Sequence, residues 1–161
     1  MSRSAYLALA LAALFTASGG LAHDFKTGNL VIAHPWARPT GASVANGAAY
    51  MSIVNGGNAA ETLRGASSPL ARMVEIHKTE TGEDGISRML AQPQGIVIGP
   101  GQTVDIQPGG YHLMLVGLVR PLQRDEKVPL TLEFADAGSI TVELAVQMRP
   151  PAAAAHDAGG H

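Results

Sequence analysis

Two histidines and two methionines carry the most informative chemistry in the chain. His112 and Met114 stand two residues apart in the run Tyr111-His112-Leu113-Met114-Leu115. If that run is a strand, both side chains leave the same face about 6.5 Å apart along it, and one ion is within reach of both. Upstream, His77 lies in a second alternating run, Met73 to Lys78, and Met89 follows the turn residues Gly82-Glu83-Asp84-Gly85. Two imidazoles with two thioethers would suit a soft ion: thioether sulfur favours Cu(I), whereas Mg²⁺ and Ca²⁺ require oxygen donors. Taken singly, a strand Met reads equally well as core filler and a strand His as a satisfied or surface residue.

Cysteine is absent from all 161 residues. There is then no disulfide framework, no thiol redox chemistry and no cysteine to carry a lipid. Blue-copper and CuA-type electron-transfer centres need thiolate, so any copper here must be held by His, Met or oxygen. Thioethers neither titrate nor form disulfides, and a His/Met site therefore survives in an oxidising compartment.

The elements that must position these residues read as strands. Past the first residues the apolar pattern comes in short runs: Leu30 to Ala33, Ala48 to Val54, Met73 to Lys78, Ile96 to Ile98, Thr103 to Ile106, His112 to Leu118, Leu130 to Phe134 and Ile140 to Val146. Turn chemistry separates them, including Asn55-Gly56-Gly57-Asn58, Gly99-Pro100-Gly101 and Pro108-Gly109-Gly110. Many short strands with regular turns predict a single all-β sandwich domain. Helix is limited to a turn near Ser67 to Arg72, where Pro69 could begin it.

The N-terminus reads as an export leader, 1–22: Arg3, then the uncharged apolar run Ala5 to Phe15, then Gly20-Leu21-Ala22 before the cleavage point. That run is well short of the roughly 20 residues a membrane-spanning helix needs, so no stable membrane insertion is expected after cleavage. Export would place the protein in the periplasm. The sandwich domain is assigned to 23–149. Residues 150–161, opening on Pro150-Pro151 and poor in large apolar groups, read as a disordered Ala/His-containing tail. With 11 Lys and Arg against 13 Asp and Glu and no basic run, nucleic acid is excluded as a partner.

The sequence resembles the PCuAC family of periplasmic copper chaperones. The segment Pro108-Gly109-Gly110-Tyr111-His112-Leu113-Met114-Leu115-Val116-Gly117-Leu118 carries most of the resemblance. His34-Pro35-Trp36-Ala37-Arg38, Gly47-Ala48-Ala49-Tyr50 and Val74-Glu75-Ile76-His77 are similar to its other marks. The family's copper motif is a His, often followed by Met, then a Met after a ten-residue spacer, then His-x-Met. Here His77, Met89, His112 and Met114 occupy those positions; Lys78 replaces the optional Met. The second spacer is one residue longer than the family's, and the addition is expected to bulge in Leu90 to Gly95 without shifting a strand.

The resemblance implies a cupredoxin-like Greek-key β-sandwich holding Cu(I) near one end through these four residues. It also implies delivery of that copper to a cytochrome oxidase CuA subunit or a Sco-type assembly protein. His156 and His161 on the tail, and His23 if cleavage follows Ala22, are candidate secondary Cu(II) donors, because imidazole suits that ion. His34, Trp36, Tyr50 and Met51 are expected to be structural, and Met73, about 13 Å from His77 along a strand, too far to share an ion with it.

Other readings remain open at this point. A periplasmic copper buffer would share the site and keep the ion. A histidine-brace copper enzyme would need His23, and a non-metal adhesion module would need none of the four. No Gly-x-Ser-x-Gly elbow, His-Glu-x-x-His or partnered carboxylate pair is present, so enzyme chemistry is not expected.

Overall fold

Every second residue of Lys127–Phe134 is apolar, and in the computed structural model, which describes residues 24–150, Val128, Leu130, Leu132 and Phe134 all point into one core. The same period-two logic gives eleven strands: β1 (Phe25–Thr27), β2 (Leu30–Ala37), β3 (Asn46–Asn55), β4 (Glu61–Ser67), β5 (Ala71–Thr81), β6 (Ser87–Ala91), β7 (Ile96–Ile98), β8 (Thr103–Ile106), β9 (Tyr111–Leu118), β10 (Lys127–Phe134) and β11 (Gly138–Val146). No helix occurs among the described residues, and so none there is long and apolar enough to cross a membrane. The leader 1–22, His23, and all of the tail except Pro150 lie outside the described residues.

The predicted turn of helix near Ser67 to Arg72 is instead a tight reverse turn. Ala71 N–H donates to the Ser68 carbonyl, and the chain passes directly from β4 into β5. Pro69 suits the second position of such a turn as well as it suits the start of a helix, and the strands on both sides decide between them.

The sheet runs β6-β5-β9-β8-β3-β2-β11-β10-β4-β7, with β9 also bonded to β3 and β4 to β5. These extra pairings close a circuit through β5, β9, β3, β2, β11, β10 and β4, sealed by Ala66 opposite Val74. The fold is all-β and cupredoxin-like. All pairs in that circuit are antiparallel except β11 with β2, which is parallel. Ile32, Ile53, Leu63, Leu113, Leu115, Leu130 and Leu144 fill the interior and are buried. Closure leaves β6 as an unshielded edge strand, all five of its residues exposed.

Glu61, at the start of β4, is buried, and its carboxylate accepts backbone N–H groups of Thr62, Asp136 and Ala137. It thereby pins the β10–β11 turn to the start of β4. Burial pushes its pKa up, but the backbone donors outweigh burial and hold it below the usual carboxylate value. A carboxyl depressed in the folded state contributes stability that is present above its unfolded value of about 4.3 and is lost as the pH falls through the folded value. Glu61→Ala is therefore expected to lose about 1–3 kcal/mol at neutral pH, the cost of orphaning buried donors. In urea melts the gap to the parent should shrink steadily below about pH 4; a gap that does not change with pH would refute this role.

Candidate functional site

Strand register decides which side chains share a face. Directly opposed residues of an antiparallel pair point the same way, as do residues two apart on one strand. His77 on β5 lies opposite His112 on β9, and Glu75 lies opposite Met114. Met89 on β6 lies opposite Thr79, two residues beyond His77. His77, Met89, His112 and Met114 therefore all project from one face of the β6-β5-β9 ribbon, the face turned away from Leu113, Leu115 and Ile76 in the core.

The two imidazoles are neighbours, with ring centroids 5.6 Å apart and planes at 88°. Their cross-strand neighbours on this face are small: Ala91 opposite His77 on β6, and Ala48 opposite Met114 on β3. Glu75, opposite Met114, is the larger side chain that shares the face with them. His112 is buried, Met114 partly so, and Met89 is 62% exposed. The group is thus graded from a buried imidazole on a central strand to a free thioether on an edge.

Each ring has one nitrogen engaged. His112 Nδ1 lies 3.3 Å from the Gly110 carbonyl oxygen. His77 Nε2 lies 3.1 Å from a Glu75 carboxylate oxygen, and its Nδ1 is buried without any hydrogen-bond partner. Beyond Ala48 on the same face of β3 stands Tyr50, tilted against Trp36 at a centroid distance of 4.8 Å. Arg38 lies over the Trp36 ring at 5.9 Å. Burial raises the Tyr50 phenol above its ordinary value, and Arg38 only partly offsets this, so the phenol stays protonated at neutral pH.

Lys78, in place of the family's optional Met, points to the opposite face, where its ammonium pairs with Glu80 at 2.8 Å and lies over Tyr111 at 5.5 Å. Met51 is buried in the core, as expected. His34 sits in a bulge between β2 and β3 with φ of 51°, apart from the four, its Nδ1 also buried and unpartnered. His23, His156 and His161 lie outside the described residues.

Two residues on this face were not assigned to the site by sequence reasoning, Glu75 because it was not considered and Met73 because it was set aside as too far from His77. Glu75 reads as an ordinary strand charge until its contact with His77 is seen. Met73, 49% exposed, shares the face and lies opposite Val116, which makes it the diagonal neighbour of Met114; only the cross-strand register carries that signal. Among the described residues no three His, Asp or Glu side chains cluster in a way that could hold a metal. The methionines are the further donors that this face offers beside the paired imidazoles.

A family model described as putative lipoprotein LpqE-like matches residues 30–146. A putative lipoprotein of Leifsonia xyli subsp. xyli is 31% identical over 116 residues, covering 72% of this chain and 68% of that protein. An uncharacterized protein of Rickettsia prowazekii is 31% identical over 105 residues, with 63% of this chain and 58% of that one covered. Among solved structures, the copper-bound PCuAC domain from PmoF2 superposes with a TM-score of 0.67 at 27% identity, over 78% of this chain and 97% of that one. The Cu(I) form of DR1885 from Deinococcus radiodurans gives a TM-score of 0.59 at 29% identity, over 81% and 85%. By sequence over most of its described length, and by a strand arrangement shared with these domains, the chain belongs to the LpqE-like family and has the PCuAC fold.

Proposed function

We propose that this chain is an exported Cu(I) carrier that binds one ion through His77, Met89, His112 and Met114 and passes it to a copper-accepting protein. The observation that carries this reading is the register: three strands bring two imidazoles and two thioethers to one face. The ring separation fits the ion as well. A metal about 2.0–2.1 Å from one nitrogen of each imidazole lies about 3.2 Å from each centroid, and rings 5.6 Å apart then subtend roughly 120° at the metal. That angle leaves room for sulfur donors on the remaining side.

Soft sulfur with neutral nitrogen selects Cu(I) over hard divalent ions, and a cysteine-free chain keeps its donors in an oxidising space. The related domains solved with copper support the choice of ion. A lipoprotein-type family and the leader at 1–22 support export, with residues 23–149 as the carrier domain.

Delivery is favoured over storage by the exposure gradient. Met89, on an edge strand and 62% exposed, can be displaced first by an incoming ligand while buried His112 keeps the ion in place. Release then proceeds by ligand exchange, without free copper. The acceptor we assign is an oxidase CuA subunit or a Sco-type assembly protein. The test is anaerobic mixing of the Cu(I)-loaded protein with an apo acceptor domain, followed by separation and metal analysis. Copper should partition to the acceptor in the ratio of the two affinities. Retention of all copper against a tighter acceptor would remove the carrier reading and leave a buffer.

A further inference from the structure

We infer that copper is taken by Nδ1 of His77 and by Nε2 of His112, and that Glu75 is the positioning residue that makes the His77 choice. The inference rests on the Cu(I) site proposed above and specifies its chemistry.

A neutral imidazole has one N–H and one lone pair, and the hydrogen bond at one nitrogen determines which is which. An ionised carboxylate only accepts, so the Glu75 oxygen 3.1 Å from His77 Nε2 places the proton on Nε2 and the lone pair on Nδ1. That Nδ1 is buried and has no partner. A buried acceptor without a donor is costly, and an ion filling the position removes the cost. At His112 the assignment reverses. The Gly110 carbonyl also only accepts; lying 3.3 Å from Nδ1, it places the proton there and leaves Nε2 with the lone pair. The two rings, directly opposed across β5 and β9, thus carry their free lone pairs on opposite nitrogens.

Glu75 can do this because of where the strand puts it. It precedes His77 by two residues, so its side chain leaves the same face, and it stands opposite Met114. Its carboxylate approaches the imidazole from the Met114 side and fixes the ring plane. A carboxylate that holds the far nitrogen of a metal-binding imidazole orients the ring and strengthens it as a donor, and removing such a partner commonly lowers metal affinity by about 10- to 100-fold. Glu75 is itself 41% exposed, so replacing it empties no core space.

The experiment is long-range ¹H–¹⁵N correlation of the imidazoles in anaerobic, Cu(I)-loaded, ¹⁵N-labelled protein, paired with chelator competition. The expected spectrum shows His77 protonated at Nε2 with Nδ1 shifted by the metal, and His112 the other way round. Glu75→Ala should weaken Cu(I) binding by about 10- to 100-fold and release the His77 tautomer preference. Glu75→Gln, whose amide oxygen still accepts from Nε2–H, should keep Nδ1 ligation and recover part of the affinity. Metal on His77 Nε2, or an unchanged affinity in Glu75→Ala, would overturn the inference while leaving the copper site standing. Failure of the wild type to bind one equivalent of Cu(I) would overturn the site itself.

Discussion

Competition of the protein against a Cu(I) chelator is expected to give one tight equivalent, weakened by alanine at each of His77, Met89, His112 and Met114, but not equally. The imidazoles stand on adjacent strands with buried or mostly buried rings. Removing either deletes a preorganised donor and leaves its opposite number facing an incomplete site. We expect losses of about 100-fold or more for His77→Ala and His112→Ala, beyond the range typical of second-sphere partners. Met114 is held on the same strand as His112 and should follow closely. Met89 belongs to an edge strand exposed along its whole length, so its thioether must be ordered when the ion binds, and that entropy offsets part of its contribution. Met89→Ala should cost about 10-fold, and because the side chain is free in the folded protein, its melting temperature should not move. His112→Ala vacates a buried position, so its stability must be measured alongside; Met89→Ala then serves as the variant in which affinity and folding cannot be confused. Copper binding indifferent to all four changes would remove the site, and equal losses at all four would remove the exposure gradient on which ligand exchange depends.

How much of this was legible in the sequence depends on whether a feature is local to one strand. The sharing of a face by His112 and Met114 follows from spacing in a single strand, and the alternation of β9, β10 and β11 was plain because each has one buried face. The short strands β7 and β8 were placed at their observed bounds for the same reason, with turn residues on either side. β6 was missed. Its residues Ser-Arg-Met-Leu-Ala are exposed on both faces, so no alternation marks it, and yet it carries Met89. β4 was missed because Arg64, Gly65 and Ser67 interrupt its apolar pattern, while Leu63 alone is fully buried.

Relations across strands need register, and neither alternation nor motif spacing in the sequence supplies it. The distance argument that separated Met73 from His77 holds along β5, but Met73 opposite Val116 is diagonal to Met114. The link between Glu75 and His77 likewise appears only once both are on one face with room between them. The resemblance to PCuAC proteins located the four residues; the pairing of β5 with β6 and β9 explains why they meet.

Gly95→Ala should be among the most damaging single substitutions in the chain, although the position carries no metal-ligating side chain. Residues 92–95 form the turn from β6 into β7: Gln92 N–H donates to the Ile76 carbonyl, next to His77, and Gly95 N–H donates to the Gln92 carbonyl. Gly95 has φ of +80°, and a Cβ added there would lie 2.2 Å from the Leu63 carbonyl oxygen and 3.2 Å from Arg64 Cα. Those atoms are backbone of β4, held by pairing with both β7 and β10, and cannot step aside as the end of a side chain would. Relief requires β7 to lift from β4, uncovering Ile96 and Ile98, both buried. Left-handed strain for a residue with a Cβ costs about 1–3 kcal/mol, and the clash adds to it; a total of about 3 kcal/mol or more places the substitution in the severe class. Gly85 is the control. It has a similar φ of +74° with nothing within 4 Å of an added Cβ, so Gly85→Ala should show the strain alone, about 1 kcal/mol. Urea melts of the two variants separate the terms. If Gly95→Ala costs no more than Gly85→Ala, β4 yields at Leu63 and the turn does not fix β6 beside His77. If it costs several-fold more, the turn is a rigid support of the site, and Cu(I) affinity measured on the folded fraction of Gly95→Ala should fall through the displaced Met89 while that of Gly85→Ala stays at the parent value.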